Sequence, residues 1–422
     1  MGVGVPSRGL QTLARLLLAA GIVYFLVGHS ESVRENLSRR DSIAYWANAR
    51  LLVNHQNAYD GYAVAELERS QGYNEDQPLI VRTPPWSLFM LLPLALFNAF
   101  WAWLSWIAVS VGALILTMRV CRRLYRDDRV PQSLFALIGY TFSPVAACLV
   151  AGQMGLVLLL GLVLFLWLEP KRPFLAGTAL ILLFAKPHLL TLFWFALFLW
   201  ILGGKRLAVA AGFITALAVA ISSVIAFDPR IFEHYRQMLS ESPIQYQFIP
   251  ALSGVLRLLF FRRFFAMQFL PLGLGLIWGG WFYWRQRRTW DWRQDALPLI
   301  VVSVLVTPYA WLTDEVVLLP AILQAALWVY SARQNTRIGT WIIAAVFALL
   351  NALLLLILSF KIPFSTGIYF WSSSVWFAWF FWARRYSKLL SAPPVSAGLV
   401  PVLPPTLSNK AKKKMHNGSA TI

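Results

Sequence analysis

Apolar runs long enough to matter recur from one end of this chain to the other, separated by short polar breaks. A helix crossing a bilayer needs about 20 apolar residues, or fewer when its ends snorkel. Candidate spans are 11–28, 98–119, 132–149, 151–168, 174–185, 188–202, 206–226, 265–285, 296–308, 313–330, 338–359 and 367–383. The short runs 174–185 and 296–308 have soft boundaries. The breaks sort by charge. With the N-terminus inside, the inner side collects Arg8 and Arg15, Arg119 through Arg129, Lys171 and Arg172, Lys205 and Arg206, Arg285 through Arg293, Arg333 and Arg337, and Arg384 through Lys388. Basic residues concentrate on the cytoplasmic side of membrane proteins. The pattern therefore predicts an all-α polytopic protein with about 12 transmembrane helices, both ends cytoplasmic. Arg39, Arg40, Arg257, Arg262 and Arg263 are exceptions in two long outer loops, where the rule is weaker.

The run 84–97 (PPWSLFMLLPLALF) breaks the parity if counted as a crossing, since every later basic cluster would then lie outside. It is short and holds Pro84, Pro85 and Pro93, so a helix lying in or re-entering from the outer interface is expected. The first outer loop, 29–83, is polar enough for short interfacial helices. The second, 227–264, carries an amphipathic stretch, FIPALSGVLRLLFFRRFF, suited to the membrane surface. Residues 1–389 read as one membrane domain and 390–422 as a disordered basic cytoplasmic tail, with a role in topology and anionic-lipid contact. No internal repeat is visible.

Composition agrees with a membrane protein and removes other classes. Only 13% of residues are charged against 59% hydrophobic, well below the charged share of about 25% usual for soluble domains. The net charge of +19 sits in short clusters between spans, so it reads as topology, and no nucleic-acid partner is expected. Cys121 and Cys148 have no metal-ligand spacing and suggest no disulfide framework. The first apolar run lacks a convincing small-residue cleavage site and is expected to be an anchor.

Polar residues embedded in apolar sequence are expensive and usually face a cavity. On this topology they gather at the outer ends of the helices. Asp41 follows the first span and opens an amphipathic helix (DSIAYWANARLL), where a carboxylate could act as a general base toward a hydroxyl or simply end a helix or pair with Arg39 or Arg40. Gln153 lies in VAGQMGL and Lys186 and His188 in FAKPHLL. Gln245 and Gln247 are in the second outer loop, and Tyr309, Trp311, Asp314 and Glu315 in TPYAWLTDEVV. Lys186 should sit just below the outer interface, where it can pair with a lipid phosphate or snorkel to bulk headgroups. Asp314 and Glu315 point about 100° apart on a helix, so only one can face a shared cavity. Arg82 is a candidate for orienting a phosphate or carboxylate, or for a structural ion pair. Motifs for zinc hydrolases, serine hydrolases, P-loops and acidic DxD clusters are missing from the sequence, and no cofactor or metal is expected.

The ordered series RRDSIAYWANARLL, RTPPWSLFMLLPLAL, AGQMGLVLLLGL, AGTALILLFAKPHLL and TPYAWLTDEVVLLPA resembles a family of bacterial membrane glycosyltransferases. These are the polyprenol-phosphate-mannose-dependent mannosyltransferase-like proteins, family eighty-seven within the C-type superfamily. The likeness runs over about residues 35–320. Each motif is short, and their order carries the weight. It implies C-type architecture with two large outer loops, in the bacterial inner membrane with the site facing the periplasm. It further implies inverting transfer of a hexose, mannose foremost, from a polyprenyl-phosphate-sugar donor to a lipid or glycan hydroxyl. Carried over, Asp41 is the base. Lys186, Arg82 and His188 hold the donor phosphate, and Tyr45, Gln153, Gln247, Tyr309, Trp311, Asp314 and Glu315 line the substrates. The chain departs from the family pattern at Thr83 (an aromatic in the family), at Gly155 (an Asn) and around Asp314 and Glu315 (a His), and Pro187 directly follows Lys186. A transporter or lipid flippase also fits twelve spans. Such proteins usually show repeats and mid-membrane polar groups, and neither is seen here. An inactive relative serving as a subunit of an envelope-polymer complex is a third reading.

Overall fold

The computed structural model describes residues 41–73, 78–125, 132–204, 206–242, 249–332, 337–359 and 367–391. The expected first span 11–28, Arg39 and Arg40, Gln245 and Gln247, and the tail from 392 onward lie outside the described residues. Among the described residues every regular element is a helix. Five are long and apolar enough to cross a membrane: Ala99–Leu124, Pro187–Gly204, Leu207–Ile225, Phe265–Gln286 and Asp314–Ser331. Gly155–Leu168, Pro173–Leu183 and Ala344–Ile357 are shorter apolar helices.

Gly155–Leu168 packs between Ala99–Leu124 and Pro173–Leu183, and Leu207–Ile225 lies against Pro173–Leu183. The last of these contacts is a close crossing of backbones. A Cβ at Gly177 would run into the Val209 carbonyl oxygen, and one at Gly212 into that of Phe174. Small residues at such crossings let helices pack by van der Waals contact where lipid removes the hydrophobic drive.

The expected span 132–149 is two helices, Gln132–Thr141 and Ser143–Ala151, interrupted at Phe142. Pro144 has no N–H and favours a helix start, so the helix ends and begins again. Backbone groups freed inside apolar surroundings need partners. Asn351, buried on the 337–359 helix, supplies both: its Nδ2 donates to the Thr141 carbonyl (2.6 Å), and its Oδ1 accepts from the Ser143 N–H (2.7 Å).

Over 84–97 the chain forms two short 3₁₀ helices, Pro85–Met90 and Leu92–Leu96. The prolines remove N–H groups an α-helix would use. This pair clamps the Asp41–Val53 helix: Arg50 Nη1 donates to the Ala95 carbonyl (2.6 Å), and Trp46 Nε1 to that of Phe97 (3.0 Å). The Asp41–Val53 helix is not the amphipathic helix expected. Ser42 through Ala49, Leu51 and Leu52 are all buried. Small side chains let neighbours approach from every side, and its polar Asn48 donates to the Ala58 carbonyl (2.5 Å).

Replacing Asn351 by Leu should leave the buried Ser143 N–H unpaired, at about 1–3 kcal/mol, and the less buried Thr141 carbonyl with it. Thermal unfolding in detergent should show a clear loss of stability, and an unchanged midpoint would remove Asn351 from this role.

Candidate active site

Four stretches distant in sequence meet through their polar side chains. Gln153 is the hub. It follows Gly152, which caps the Ser143–Ala151 helix in the left-handed region (φ 68°). A Cβ at Gly152 would also stand 3.0 Å from Ser42, so glycine here lets the start of the Asp41 helix rest on this turn. Trp106 Nε1 donates to the Gly152 carbonyl (2.8 Å), and Cys148 Sγ to that of Gln153 (3.2 Å).

The Gln153 side-chain amide bonds three protein partners. Its Nε2 donates to Asp41 Oδ2. Its Oε1 accepts from the Tyr45 hydroxyl at 3.0 Å and from Lys186 Nζ at 3.1 Å. Lys186 stands in the turn after Pro173–Leu183 and is 8% exposed. Its Nζ also pairs with Asp314 Oδ1 at 2.7 Å. Asp314 is wholly buried, and its Oδ2 accepts from the Trp311 backbone N–H (3.1 Å). Both Asp314 oxygens are therefore occupied, whereas Asp41 Oδ1 has no partner among the described residues.

A Cβ at Gly155 would lie 2.8 Å from Val316 and 2.9 Å from the Thr313 carbonyl oxygen. The segment carrying Asp314 packs onto this glycine, leaving no room for a larger residue.

Asp41 lies outside the membrane-spanning helices. Burial pushes its carboxyl up to about 6, with Lys186 opposing the rise and Asp314 adding to it. Another buried carboxylate, Glu68, accepts from the Leu79 N–H (3.2 Å) by Oε2. Its Oε1 is buried without a partner among the described residues, and burial pushes this carboxyl up to about 7.

A chain of aromatic contacts continues from the cluster. The Tyr309 ring meets His188 edge-on (5.5 Å) and Trp311 (6.0 Å). Burial raises the Tyr309 phenol, with Trp311, Lys186 and Arg82 opposing and Asp314 adding to the rise. Among the described residues His188 Nε2 is buried without a partner. The Arg82 side chain donates to the Ser242 carbonyl and its own carbonyl accepts from the Tyr235 hydroxyl (3.4 Å), tying the segment before the paired prolines to the Ile231–Glu241 helix and its end. Its guanidinium is drawn below its usual range by burial, with Tyr309 and Tyr235 opposing.

Of the expected site residues, Asp41, Tyr45, Gln153, Lys186 and Asp314 are brought together. Trp311 joins by its backbone, Tyr309 and His188 adjoin, and Arg82 makes no bond to the cluster. Glu315, one step along the 3₁₀ turn, accepts from Ser372 Oγ, so of this adjacent pair Asp314 is the one that joins the cluster. Gln247 lies outside the described residues. Trp106, Cys148 and Glu68 were not foreseen. Trp106, whose ring meets Tyr45 edge-on (5.4 Å), is one of 20 tryptophans in the chain and carries no distinguishing local signal.

The family model for glycosyltransferase family 87 matches residues 83–308, more than half of the chain. The chain belongs to glycosyltransferase family 87. No curated protein and no solved structure matches it. This is a membrane glycosyltransferase. The matched segment holds Gln153, Lys186 and His188, while Asp41, Tyr45 and Arg82 precede it and Tyr309, Trp311, Asp314 and Glu315 follow it. Geometry alone joins those flanking residues to the family's segment.

A buried ion pair becomes costly when one partner is removed, by about 3–5 kcal/mol, because the other charge is left uncompensated. Lys186→Met and Asp314→Leu should each lower the unfolding midpoint of this glycosyltransferase sharply. The double variant should recover much of that loss, and strictly additive losses would contradict direct pairing.

Proposed function

We propose that this glycosyltransferase moves a hexose, mannose foremost, from a polyprenyl-phosphate-sugar donor to a hydroxyl of a lipid or glycan acceptor, with inversion. In this proposal the chain crosses the bacterial inner membrane twelve times with C-type architecture, and residues 1–389 form the membrane domain. The reaction takes place at the periplasmic face. The observation that carries the proposal is that one amide, Gln153, holds both the Asp41 carboxylate and the Lys186 ammonium. A base and a cation are thereby fixed a few ångströms apart, where a hydroxyl and a phosphate must meet.

The assignment of roles follows from which lone pairs and protons are free. Asp314 has both oxygens already bonded by the protein, one of them to Lys186, and serves as the buried counter-ion of Lys186. Asp41 retains Oδ1 to take the acceptor's proton as its oxygen attacks the anomeric carbon. The bond from that carbon to the phosphate oxygen breaks, and its electron pair leaves on polyprenyl phosphate. An ammonium has three N–H donors, and two of Lys186's are engaged. The third is available to a phosphate oxygen whose charge grows as the bond breaks, where a fixed donor in dry surroundings acts most strongly. Asp41 and Asp314 together outweigh Lys186 by one charge when all are ionised. In this proposal Arg82, near Tyr309, supplies the compensating positive charge for the donor, with His188 Nε2 as a neutral partner. Tyr45, Tyr309, Trp311 and Gln247 are proposed to border the substrates.

The base must be ionised to act, and its folded value is about 6. Transfer by purified protein should fall on acidification with a midpoint near that value, and Asp41→Asn should lose about 10²-fold or more. Release of polyprenyl phosphate from polyprenyl-phosphate-mannose, followed from about pH 5 to about pH 8, checks both. Retained turnover in a folded Asp41→Asn protein would rule out Asp41 as base.

A further inference from the structure

Gln153 is surrounded by groups that leave its amide no choice of orientation. Its oxygen accepts two hydrogen bonds, from Tyr45 and Lys186, so both of its lone pairs are taken. Turning the amide over would set its NH₂ against the Lys186 ammonium and the Tyr45 hydroxyl. The NH₂ therefore faces Asp41, and bonds one oxygen, Oδ2. The backbone is held as firmly: Trp106 bonds the Gly152 carbonyl, and Cys148 Sγ the Gln153 carbonyl. Tyr45 itself is buried, with its ring edge-on to Trp106 at 5.4 Å. One N–H of the NH₂ is left over, so the amide can offer a sugar at most a single donor, while its oxygen and its other N–H hold the protein.

We propose that Gln153 is a positioning residue, not a substrate contact: locked by Tyr45 and Lys186, it grips Asp41 by Oδ2 and turns Oδ1 toward the acceptor. The role of Oδ1 rests on the glycosyltransferase proposal above. The grip on Asp41 does not, and it can be measured without substrate. Among the described residues the charged and titratable groups acting on Asp41 are Lys186, Asp314, Tyr45 and Glu68, and Gln153 is the neutral member between them.

Dicyclohexylcarbodiimide reacts with protonated carboxyls in apolar surroundings, so adduct formation on the Asp41 peptide, followed by mass spectrometry against pH, reports its ionisation. In full-length protein, Gln153→Met removes the N–H that stabilises the carboxylate, and the labelling midpoint should move up by about one pH unit. Gln153→Glu places a second carboxyl beside Asp41 and should move it at least as far. Tyr45→Phe removes one lock and no buried charge, so a smaller shift in the same direction is expected. It carries the comparison if the Gln153 variants fail to fold by size exclusion. Superimposed labelling curves would overturn the proposal. So would a folded Gln153→Met protein whose donor or acceptor KM rises while the Asp41 midpoint stays in place. If no sugar is transferred from any polyprenyl-phosphate donor, the functional proposal fails, while the labelling shift still decides the positioning role.

Discussion

Lys186 and Asp314 form a salt bridge of 2.7 Å from which water is almost entirely excluded. Neither charge could remain there alone. The need to bring them together forces two turns, one after Pro173–Leu183 and one before Asp314–Leu318, to meet at a single point. Everything else in the site is arranged around that meeting. Gln153 reaches Lys186 from a third turn, and Asp41 reaches Gln153 from a helix outside the membrane spans. A buried pair of this kind adds little net stability against an apolar substitute, because desolvation offsets most of the attraction. What the pair does supply is position: it holds the Lys186 ammonium at a fixed point beside Gln153.

Helix ends, not helix middles, provide the site. The Ser143–Ala151 helix stops at a left-handed glycine, Pro173–Leu183 gives way to the Lys186–Pro187 turn, and Trp292–Val306 ends before Thr307 and Pro308. Each stop frees backbone groups, and apolar surroundings require that they find partners. Trp106, Cys148, Thr307 and the carboxylate of Asp314 take up that role. The polar residues that close the helices and those proposed to act on substrate thus form one connected network. This arrangement ties the shape of the catalytic centre to the packing of the spans, including the close crossing at Gly177 and Gly212.

The positions of the polar breaks were legible because a lysine or glutamine inside an apolar run is costly and must have a reason. Asp41, Gln153, Lys186 and Asp314 stood out on that ground. Their pairing was not legible, since it depends on contacts between residues more than a hundred positions apart. The environment of the Asp41 helix was misjudged because alternating small and aromatic residues resemble an amphipathic surface when they are in fact packed on all sides. Adjacency alone allowed only one of Asp314 and Glu315 to face a shared cavity, and the turn that decides between them sends Glu315 to Ser372. The break at Phe142 had a local sign in Pro144. Its remedy, Asn351, lies some two hundred residues away, where no local pattern could announce it.

The central claim is that a lipid-linked phosphate and its sugar meet the protein between Lys186 and Asp41. Cryo-electron microscopy of the full chain in lipid nanodiscs with bound polyprenyl phosphate tests it most directly. The account predicts phosphate density within hydrogen-bond reach of Lys186 Nζ, with the leaving oxygen directed toward Asp41 Oδ1 and the polyprenyl tail running into the membrane. Phosphate density away from Lys186, with the Lys186–Gln153–Asp41 cluster unoccupied, would contradict it.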